Sequence, residues 1–414
     1  MTIGHSAAKR HTITVLGAAL LLRALVAWIV MTQYAPEWLF TRGVEMTLLA
    51  KSLLAGLGLS SPFGVPTGPT AFIAPAYPVL VAAVFKIFGI ETRAAEFVVL
   101  AAQTALNLAT IALMMHVARK LFNERAAVLA GLVWACSPPL LWLPTIFWET
   151  SFSACMLMGL VALALHWTER PTRWMWPLLG ASCGVIALMN PALLLSALAI
   201  AAWVWFRVHR TAGWSPWTAV LMFVVVFSPW PIRNARVFHA FIPLRTTVGF
   251  ELWMGNRPGA TGYLDESIFP MYNQQELHEY MQRGELGYTA WKEELAHEYI
   301  AEHPAVFVHM TAVRVVRFWS GTGTEHGSFI FELHALATTL FGFAGLWMLR
   351  RRRTLALLFA TPMLLFPLPY YLTHAEFRYR IVIDPLMTVL AAYAVCELYR
   401  ILAERNAKTI EAAR

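Results

Sequence analysis

The chain has 414 residues, of which 58% are hydrophobic and only 14% are charged, and its mean hydropathy is +0.56. Soluble domains carry about a quarter charged residues, so this composition excludes an ordinary soluble protein and indicates a polytopic membrane protein. We attribute the net charge of +8 to cytoplasmic loops and to contacts with anionic head groups or phosphates, and not to nucleic-acid binding.

Apolar segments long enough to cross a bilayer recur along the chain. The first follows a basic flank with no small-residue cleavage site after it, so we expect a retained helix and not a removed signal peptide. The segments predict an all-α protein with about ten transmembrane helices, near residues 12–31, 94–117, 127–145, 149–167, 174–189, 191–206, 215–231, 329–348, 355–372 and 381–401.

The distribution of basic residues decides whether two shorter apolar stretches, 75–89 and 305–320, cross the membrane. Cytoplasmic loops are enriched in Lys and Arg. If neither stretch crosses the membrane, every basic cluster falls on the cytoplasmic side. We therefore expect both stretches to be juxtamembrane helices on the outer side. The clusters are Lys9-Arg10, Arg119-Lys120 with Arg125, Arg170 with Arg173, Arg207 with Arg210, and Arg350 to Arg353.

This topology collects the polar segments on the outer face. They are the first loop 32–93, the turn at Trp148-Glu149, the segment 232–328 and the sequence HAEFRYR at 374–380. Segment 232–328 is expected to form a cap with a juxtamembrane helix. The chain is thus divided into a transmembrane module (1–231), the cap (232–328), and C-terminal transmembrane helices with a short cytoplasmic tail (329–414).

Glu45 is the only carboxylate between Arg42 and Gly89, in a loop rich in proline and glycine. It precedes an apolar pattern of helical spacing that ends at glycine. A carboxylate held just outside the membrane could act as a general base on a lipid-borne substrate. The alternative is a helix N-terminal acid that complements the helix dipole.

Glu149 is the second candidate, in the outer turn TIFWETS. It could share the base role, steer an acceptor or hold a metal ion, or it could be an ordinary loop acid. Two carboxylates without His or Asp at ligand spacing are a weak metal signal. We therefore predict no metal-ligand residues and no required cofactor, and we leave a divalent cation open.

Arginines on the outer side form the third candidate group. Guanidinium groups suit phosphate oxygens, whereas an isolated arginine near a membrane often only extends its charged end towards the lipid head groups. Three outer clusters run against the usual charge bias, which favours phosphate binding, most of all for Arg378 and Arg380. The other candidates for substrate contact are Arg233, Arg317, Arg42 and Tyr77.

Arg23 lies inside the first apolar segment. A charged side chain at this depth is costly unless it is paired or reaches the interface. We expect it to have a structural partner.

Together these residues resemble the GT-C superfamily of membrane glycosyltransferases. The resemblance rests on the outer loop with its acid, the Pro-Xaa-Tyr-Pro helix start that runs to FKIFG, and ARKLFNERAAVLAGLVWACSP. It is strongest over 42–170, 228–262 and 374–385. Glycosyltransferase family 39 is the most similar, with protein O-mannosyltransferases and the lipid A aminoarabinose transferase as its relatives.

The resemblance implies a GT-C fold with a seven-span module whose first outer loop holds the catalytic acid. Many relatives have Asp at that position, commonly in an Asp-Glu pair, whereas this chain has Glu45 preceded by Val44. The second acid of the relatives corresponds to Glu149. Their phosphate-binding arginines correspond to Arg378, with Arg380 as a further candidate. A bacterial inner membrane, with the active site on the periplasmic side, is also implied.

The sequence therefore predicts an inverting glycosyltransferase of the EC 2.4 class. Its donor is a polyprenyl-phosphate sugar, and its acceptor is a hydroxyl of a lipid, glycan or protein. Membrane lipids are its other partners, and nucleic acid is not one. The rival interpretation is a lipid or solute transporter or flippase. That class favours internal repeats and polar groups at mid-membrane, neither of which the sequence displays.

Overall fold

The structure is a computed structural model that describes residues 2–208, 216–322 and 329–412. Arg210, predicted to be cytoplasmic, and residues 323–328 of the predicted cap lie outside these ranges. In the described chain the regular secondary structure is helical, apart from one isolated bridge between Ser60 and Pro69. The α-helices are α1 Thr2–Gln33, α2 Pro36–Thr41, α3 Val44–Leu54, α4 Ala76–Phe88, α5 Arg93–Leu121, α6 Glu124–Cys136, α7 Pro138–Leu141, α8 Thr150–Glu169, α9 Met175–Met189, α10 Leu194–Val208, α11 Trp217–Phe227, α12 Pro229–Phe238, α13 Val248–Asn256, α14 Gln274–Glu302, α15 Pro304–Ser320, α16 Phe329–Met348, α17 Arg353–Leu365, α18 Leu368–Leu372 and α19 Phe377–Ala412.

Seven helical stretches of the described residues are long and apolar enough to cross a membrane. The pair α11 and α12, bent by 43° where Pro229 begins the second helix, makes an eighth if it is one span. The predicted polytopic all-α membrane fold is confirmed, but the count of about ten is not. The seven stretches are Ala7–Gln33, Arg93–Leu121, Thr150–Glu169, Pro191–Val208, Phe329–Arg351, Arg353–Leu372 and Phe377–Glu411.

Two of the predicted spans become short helices. Helix α6 has 13 residues and α9 has 15, which at about 1.5 Å per residue is shorter than a hydrocarbon core of about 30 Å. Helix α6 ends at Cys136 because Pro138 and Pro139 follow, and proline cannot donate the backbone hydrogen bond that continues a helix. The predicted juxtamembrane stretches are the helices α4 and α15.

Arg23 supplies hydrogen-bond donors to the backbone where α6 ends. Its guanidinium is 1% exposed and donates hydrogen bonds to the carbonyl oxygens of Trp134 (3.1 Å), Ala135 (3.2 Å) and Leu140 (3.3 Å). These carbonyls lack the helical partners that an unbroken helix would supply. The expected structural partner of Arg23 is therefore confirmed, and it is backbone and not a carboxylate.

The last long helix, α19, runs through the centre of the helical bundle. Its segment Ile381 to Leu390 is almost wholly buried, with Ile383, Leu386 and Leu390 at 0% exposure. The helices α5, α6, α8 and α16 pack around it. Because the segment that follows its first turn is packed in this way, the residues that precede and begin α19 are held at one end of the bundle.

The cap contains α13, the long α14 and α15. Helix α13 lies so close to the segment before α19 that a Cβ atom on Gly255 would collide with the carbonyl oxygen of Thr373. Arg314 of α15 joins the same parts, since it donates to the carbonyls of Tyr371 and Leu372 (both 3.0 Å) and to the Asn256 side chain (2.8 Å). The cap is thus attached to the segment that leads into α19.

Candidate functional site

Glu45 lies in the first turn of α3, and Gly43 determines where that turn begins. A Cβ atom on residue 43 would collide with the carbonyl oxygen of Phe147, so the backbone can approach the 147–149 turn this closely only at glycine. Thr47 further fixes α3 by donating to the carbonyl oxygen of Phe40 (2.9 Å). The half-buried Glu45 carboxylate is thereby brought next to the turn that carries Trp148.

Arg378 lies in the first turn of α19 and reaches the same turn. Its guanidinium carbon is 4.2 Å from the centroid of the Trp148 ring and 4.9 Å from that of Tyr379. The guanidinium also donates to the Glu376 carboxylate and to the Tyr379 hydroxyl (3.2 Å). Stacking on aromatic faces contributes about 0.5–2 kcal/mol and leaves part of the guanidinium edge open to a ligand.

Glu45 and Arg378 line one cavity of about 360 Å³, within the range of small-molecule sites. Four parts of the chain form its walls: the start of α3, the turn before α8, the cap and the start of α19. The lining residues are Thr41, Arg42, Gly43, Val44, Glu45, Ile146, Trp148, Leu264, Glu266, Phe269, Tyr272, Glu376, Phe377 and Arg378. An acid and a cation predicted from distant parts of the sequence thus share one site.

Glu149 lies directly behind this cavity, at the N-terminus of α8. Burial raises the pKa of Glu149, and the charges of Arg378 and Arg245 act in the opposite direction. The pKa of Glu45 is likewise raised by burial, against the lowering effects of a backbone hydrogen bond, Arg378 and Arg245. Both carboxyls therefore hold their protons to a higher pH than an exposed glutamate does.

Three residues that sequence reasoning missed lie behind these acids. His374 Nδ1 is 3.2 Å from one carboxylate oxygen of Glu251, and Arg245 Nη2 is 3.8 Å from the other. Burial raises the pKa of Glu251, but His374, Arg245 and Arg378 outweigh it, so the pKa lies below its ordinary value. Arg245 is a lone arginine in IPLRTT and carries no pattern. Of the three, only His374 could have been found from the sequence, because it lies in HAEFRYR beside the candidate residues Arg378 and Arg380.

Arg42 and Tyr77 lie near the acids in different ways. Arg42 lines the cavity, is exposed, and donates to the Thr145 hydroxyl (3.3 Å). Tyr77 is 3% exposed in α4, and its ring meets the ring of Phe147 edge-on at 5.6 Å. Its hydroxyl lies close enough to interact with the charge of Glu149 but does not line the cavity. Arg42 therefore faces the cavity, whereas Tyr77 packs behind its wall.

Arg380 is not brought to the cavity. It is 1% exposed and forms an ion pair with Asp384 one turn further along α19. It also donates to the hydroxyls of Thr338 (2.8 Å) and Thr339 (3.1 Å) of α16. Residues two positions apart on an α-helix point about 200° apart around its axis, so Arg378 and Arg380 cannot face one ligand together. Its contacts give Arg380 a structural role between α16 and α19.

Arg233 and Arg317 also bind the protein itself. Arg233 donates to the carbonyl oxygens of Leu59 (2.7 Å) and Thr70 (2.8 Å), which fixes the first outer loop. Arg317 donates to the carbonyl of Thr261 and lies 3.7 Å from the centroid of the Tyr263 ring. Neither lines the cavity that contains Glu45 and Arg378.

A metal site is not formed by the protein groups that the structure describes. In the ranges 2–208, 216–322 and 329–412, no three His, Cys, Asp or Glu side chains lie close enough to hold a metal ion together. Among the described residues, the two predicted acids Glu45 and Glu149 therefore have no third side chain of these types placed to complete a metal site with them.

Comparison with known proteins assigns part of the chain to a family. Residues 72–232 match the family described as dolichyl-phosphate-mannose-protein mannosyltransferase. The match covers less than half of the chain and ends just before Arg233. No curated protein sequence matches the chain.

Solved structures resemble the chain in fold. An oligosaccharyltransferase from Archaeoglobus fulgidus, solved with Zn and sulfate, superposes with a TM-score of 0.54 at 15% identity and covers 97% of this chain and 51% of its own. The archaeal oligosaccharyltransferase AglB from the same organism, in complex with an inhibitory peptide and a dolichol-phosphate, gives 0.49 at 16% identity, with 97% and 52% covered. ArnT from Cupriavidus metallidurans bound to undecaprenyl phosphate gives 0.38 at 15% identity, with 91% and 77% covered.

The chain spans about half the length of the archaeal enzymes it matches. The fold assignment rests on the first of these superpositions and on the match of residues 72–232. The expected resemblance is confirmed: the chain has the all-α membrane fold of the GT-C glycosyltransferases, and its residues 72–232 match their dolichyl-phosphate-mannose-protein mannosyltransferase family.

Proposed function

We propose that this protein is a membrane glycosyltransferase that moves a sugar from a polyprenyl-phosphate donor to an acceptor hydroxyl. One observation carries the proposal: Glu45 and Arg378 line the same cavity. A proton acceptor and a phosphate-binding cation are the two groups that this reaction needs from the protein. The family described for residues 72–232, which is named for a lipid-phosphate sugar donor, supports the same donor class.

In the proposed mechanism Glu45 is the general base. Its carboxylate takes the proton of the acceptor hydroxyl while the hydroxyl oxygen attacks the anomeric carbon of the sugar. The bond between that carbon and the phosphate oxygen breaks on the opposite face, so the configuration inverts. The products are the glycosylated acceptor, free polyprenyl phosphate and protonated Glu45, and a positioned base contributes about 10²–10⁴-fold to the rate.

Arg378 receives the leaving phosphate. A guanidinium forms charge-assisted hydrogen bonds with phosphate oxygens, and its stack on Trp148 holds it in place without a conformational search. A phosphate leaves as a stable anion and needs no general acid, unlike the leaving groups of glycosidases that use two carboxylates. Glu149, behind the cavity, is then free to steer the acceptor or to share the proton.

The proposed setting is a bacterial inner membrane with the cavity on the periplasmic side. Cavity residues come from the first outer loop, the Trp148 turn, the cap and the start of α19, and the predicted topology puts all four on that face. The donor lipid would enter from the bilayer, and the lipid, glycan or protein acceptor would enter beside Glu266, Phe269 and Tyr272 of the cap.

The test uses proteoliposomes with a panel of undecaprenyl-phosphate-linked sugars. Wild-type protein should release undecaprenyl phosphate in the presence of an acceptor extract, and Glu45→Gln should lower the rate at least about a hundredfold while it still binds undecaprenyl phosphate. Glu37→Gln, an exposed acid of α2, is the matched control and should stay active. Full activity of Glu45→Gln would refute the mechanism. Movement of intact lipid without sugar release would identify a flippase instead.

A further inference from the structure

Glu285 connects the cap to the first outer loop, and neutral donors enclose its carboxylate. The residue is 5% exposed. The hydroxyls of Thr70 (2.5 Å), Tyr280 (2.7 Å) and Thr246 (2.8 Å) and the backbone N–H of Ala71 (2.7 Å) all donate to it. Four hydrogen bonds compensate a buried carboxylate for its lost hydration, so this contact resists displacement.

A break in α14 brings Glu285 to this place. Gly284 has φ +68° and ψ 170° inside the helix, a conformation that residues with a Cβ atom rarely adopt. The helix therefore changes direction at residue 284, and the side chain that follows leaves the helix surface towards the loop. A straight α14 would place residue 285 elsewhere.

Glu285 holds two backbone segments side by side. Beyond its bonds to Ala71 and Thr246, the backbone N–H of Thr246 donates to the carbonyl oxygen of Ala71 (3.2 Å). Next to this pair, Arg245, the residue before Thr246, donates from Nε to the carbonyl oxygen of Phe72, the residue after Ala71 (2.8 Å). The position of the Arg245 guanidinium is thus defined by a pair of segments that meet on one carboxylate.

Arg245 supplies positive charge behind the candidate cavity. Its guanidinium lies 3.8 Å from Glu251 and acts electrostatically on Glu45 and Glu149. We infer that Glu285 is a positioning residue, which acts through segments 70–72 and 245–246 to hold Arg245 beside the acids of the cavity. The importance of Glu285 for catalysis rests on the proposed function, but its effect on the position of Arg245 does not.

The consequence is measurable at Glu45. If Arg245 is displaced, Glu45 loses one of the cations that stabilise its charged form, and its titration moves to higher pH. The other ionisable groups around Glu45 are unchanged by the substitution: Arg42 beside it, Arg378 and Glu376 at the start of α19, and Glu266 and Tyr272 of the cap.

The experiment is an infrared pH titration of the full-length protein in nanodiscs, which needs no substrate. The Glu45 signal is the carboxyl band that disappears in Glu45→Gln. In Glu285→Gln its midpoint should move to a higher pH. Thr246→Val should move it in the same direction by less, and Thr246→Ser should restore it. Glu298→Gln, an exposed acid on α14, is the control.

An unchanged Glu45 midpoint in a folded Glu285→Gln protein would overturn the inference. If that variant does not fold, Thr246→Val and Thr246→Ser decide it, since they leave the Glu285 charge in place. A shift equal to that of Glu298→Gln would equally count against it. An active Glu45→Gln would refute the proposed mechanism but leave this titration result as it stands.

Discussion

Arg378 of α19 lies over the Trp148 ring, 4.2 Å from its centroid, although the two residues are 230 positions apart in the chain. This contact brings the start of α19 against the turn that carries Trp148 and Glu149, and the start of α3, which carries Glu45, packs against the same turn. The cation that would hold a phosphate is therefore located by the same turn that locates both candidate acids.

Replacing Arg378 should weaken binding of the lipid phosphate. Arg378→Ala removes the guanidinium from the cavity, so we expect undecaprenyl phosphate affinity to fall about tenfold or more, in line with the loss of a charge-assisted hydrogen bond. Arg378→Lys keeps the charge but not the planar group, so it should retain only part of the wild-type affinity. Fluorescence titration in nanodiscs measures the affinity of both variants. An unchanged affinity in Arg378→Ala would show that Arg378 does not bind the phosphate.

Arg380→Ala should instead destabilise the protein. The substitution leaves Asp384, which is 1% exposed, without its arginine, and breaking a buried ion pair costs about 3–5 kcal/mol. We expect a lower Tm in detergent and an unchanged affinity for undecaprenyl phosphate in the protein that remains folded. Arg400→Ala, an exposed arginine of the same helix, is the control and should leave the Tm unchanged. Weakened phosphate binding at an unaltered Tm would contradict this assignment.

Gly43→Ala should lower activity more than stability. The added Cβ atom pushes the start of α3 away from the Phe147 carbonyl, and a displacement of about 1 Å in a reacting group can cost about a hundredfold in rate. We expect sugar transfer to fall at least about tenfold with Glu45 still present. Gly17→Ala in α1, where nothing lies within 4 Å of the added atom, should be neutral. Equal activity of the two variants would show that sugar transfer does not need the close approach between residue 43 and the Phe147 carbonyl.

The activity should depend on pH through raised carboxyl pKa values. Burial raises the pKa of Glu45, and a general base works only when deprotonated. The rate should therefore fall with acidification at a higher pH than an exposed glutamate would give. A profile of kcat/KM against pH measures this limb. A limb at the pH of an ordinary carboxyl would count against Glu45 as the base.

The same shift has a defined sign for stability. A folded-state pKa above the unfolded value means that the folded protein binds more protons between the two values. The contribution of Glu45 is then full below the unfolded pKa and is lost as pH rises through the folded one. Relative to wild type, Glu45→Gln should therefore become more stable as the pH increases, as measured by thermal unfolding at a series of pH values. An opposite trend would show that the pKa is lowered.

The sequence by itself determined the class of the protein and several of its groups. Hydropathy and charge identify a polytopic helical membrane protein because a bilayer requires long apolar helices. They also indicated that Arg23 needs a partner, since an unpaired charge at that depth is costly. Glu45 and Arg378, which line the cavity, were found from their places at the outer ends of apolar segments.

Only the tertiary structure decided which arginines face the cavity. Arg378 and Arg380 are alike in the sequence, yet helix geometry turns one to the site and the other to Asp384 and α16. Arg245 and Glu285 carry no pattern at all, because their roles depend on contacts between segments more than 150 residues apart. Such contacts follow from packing across the whole chain, whereas periodicity and composition report only on neighbours along it.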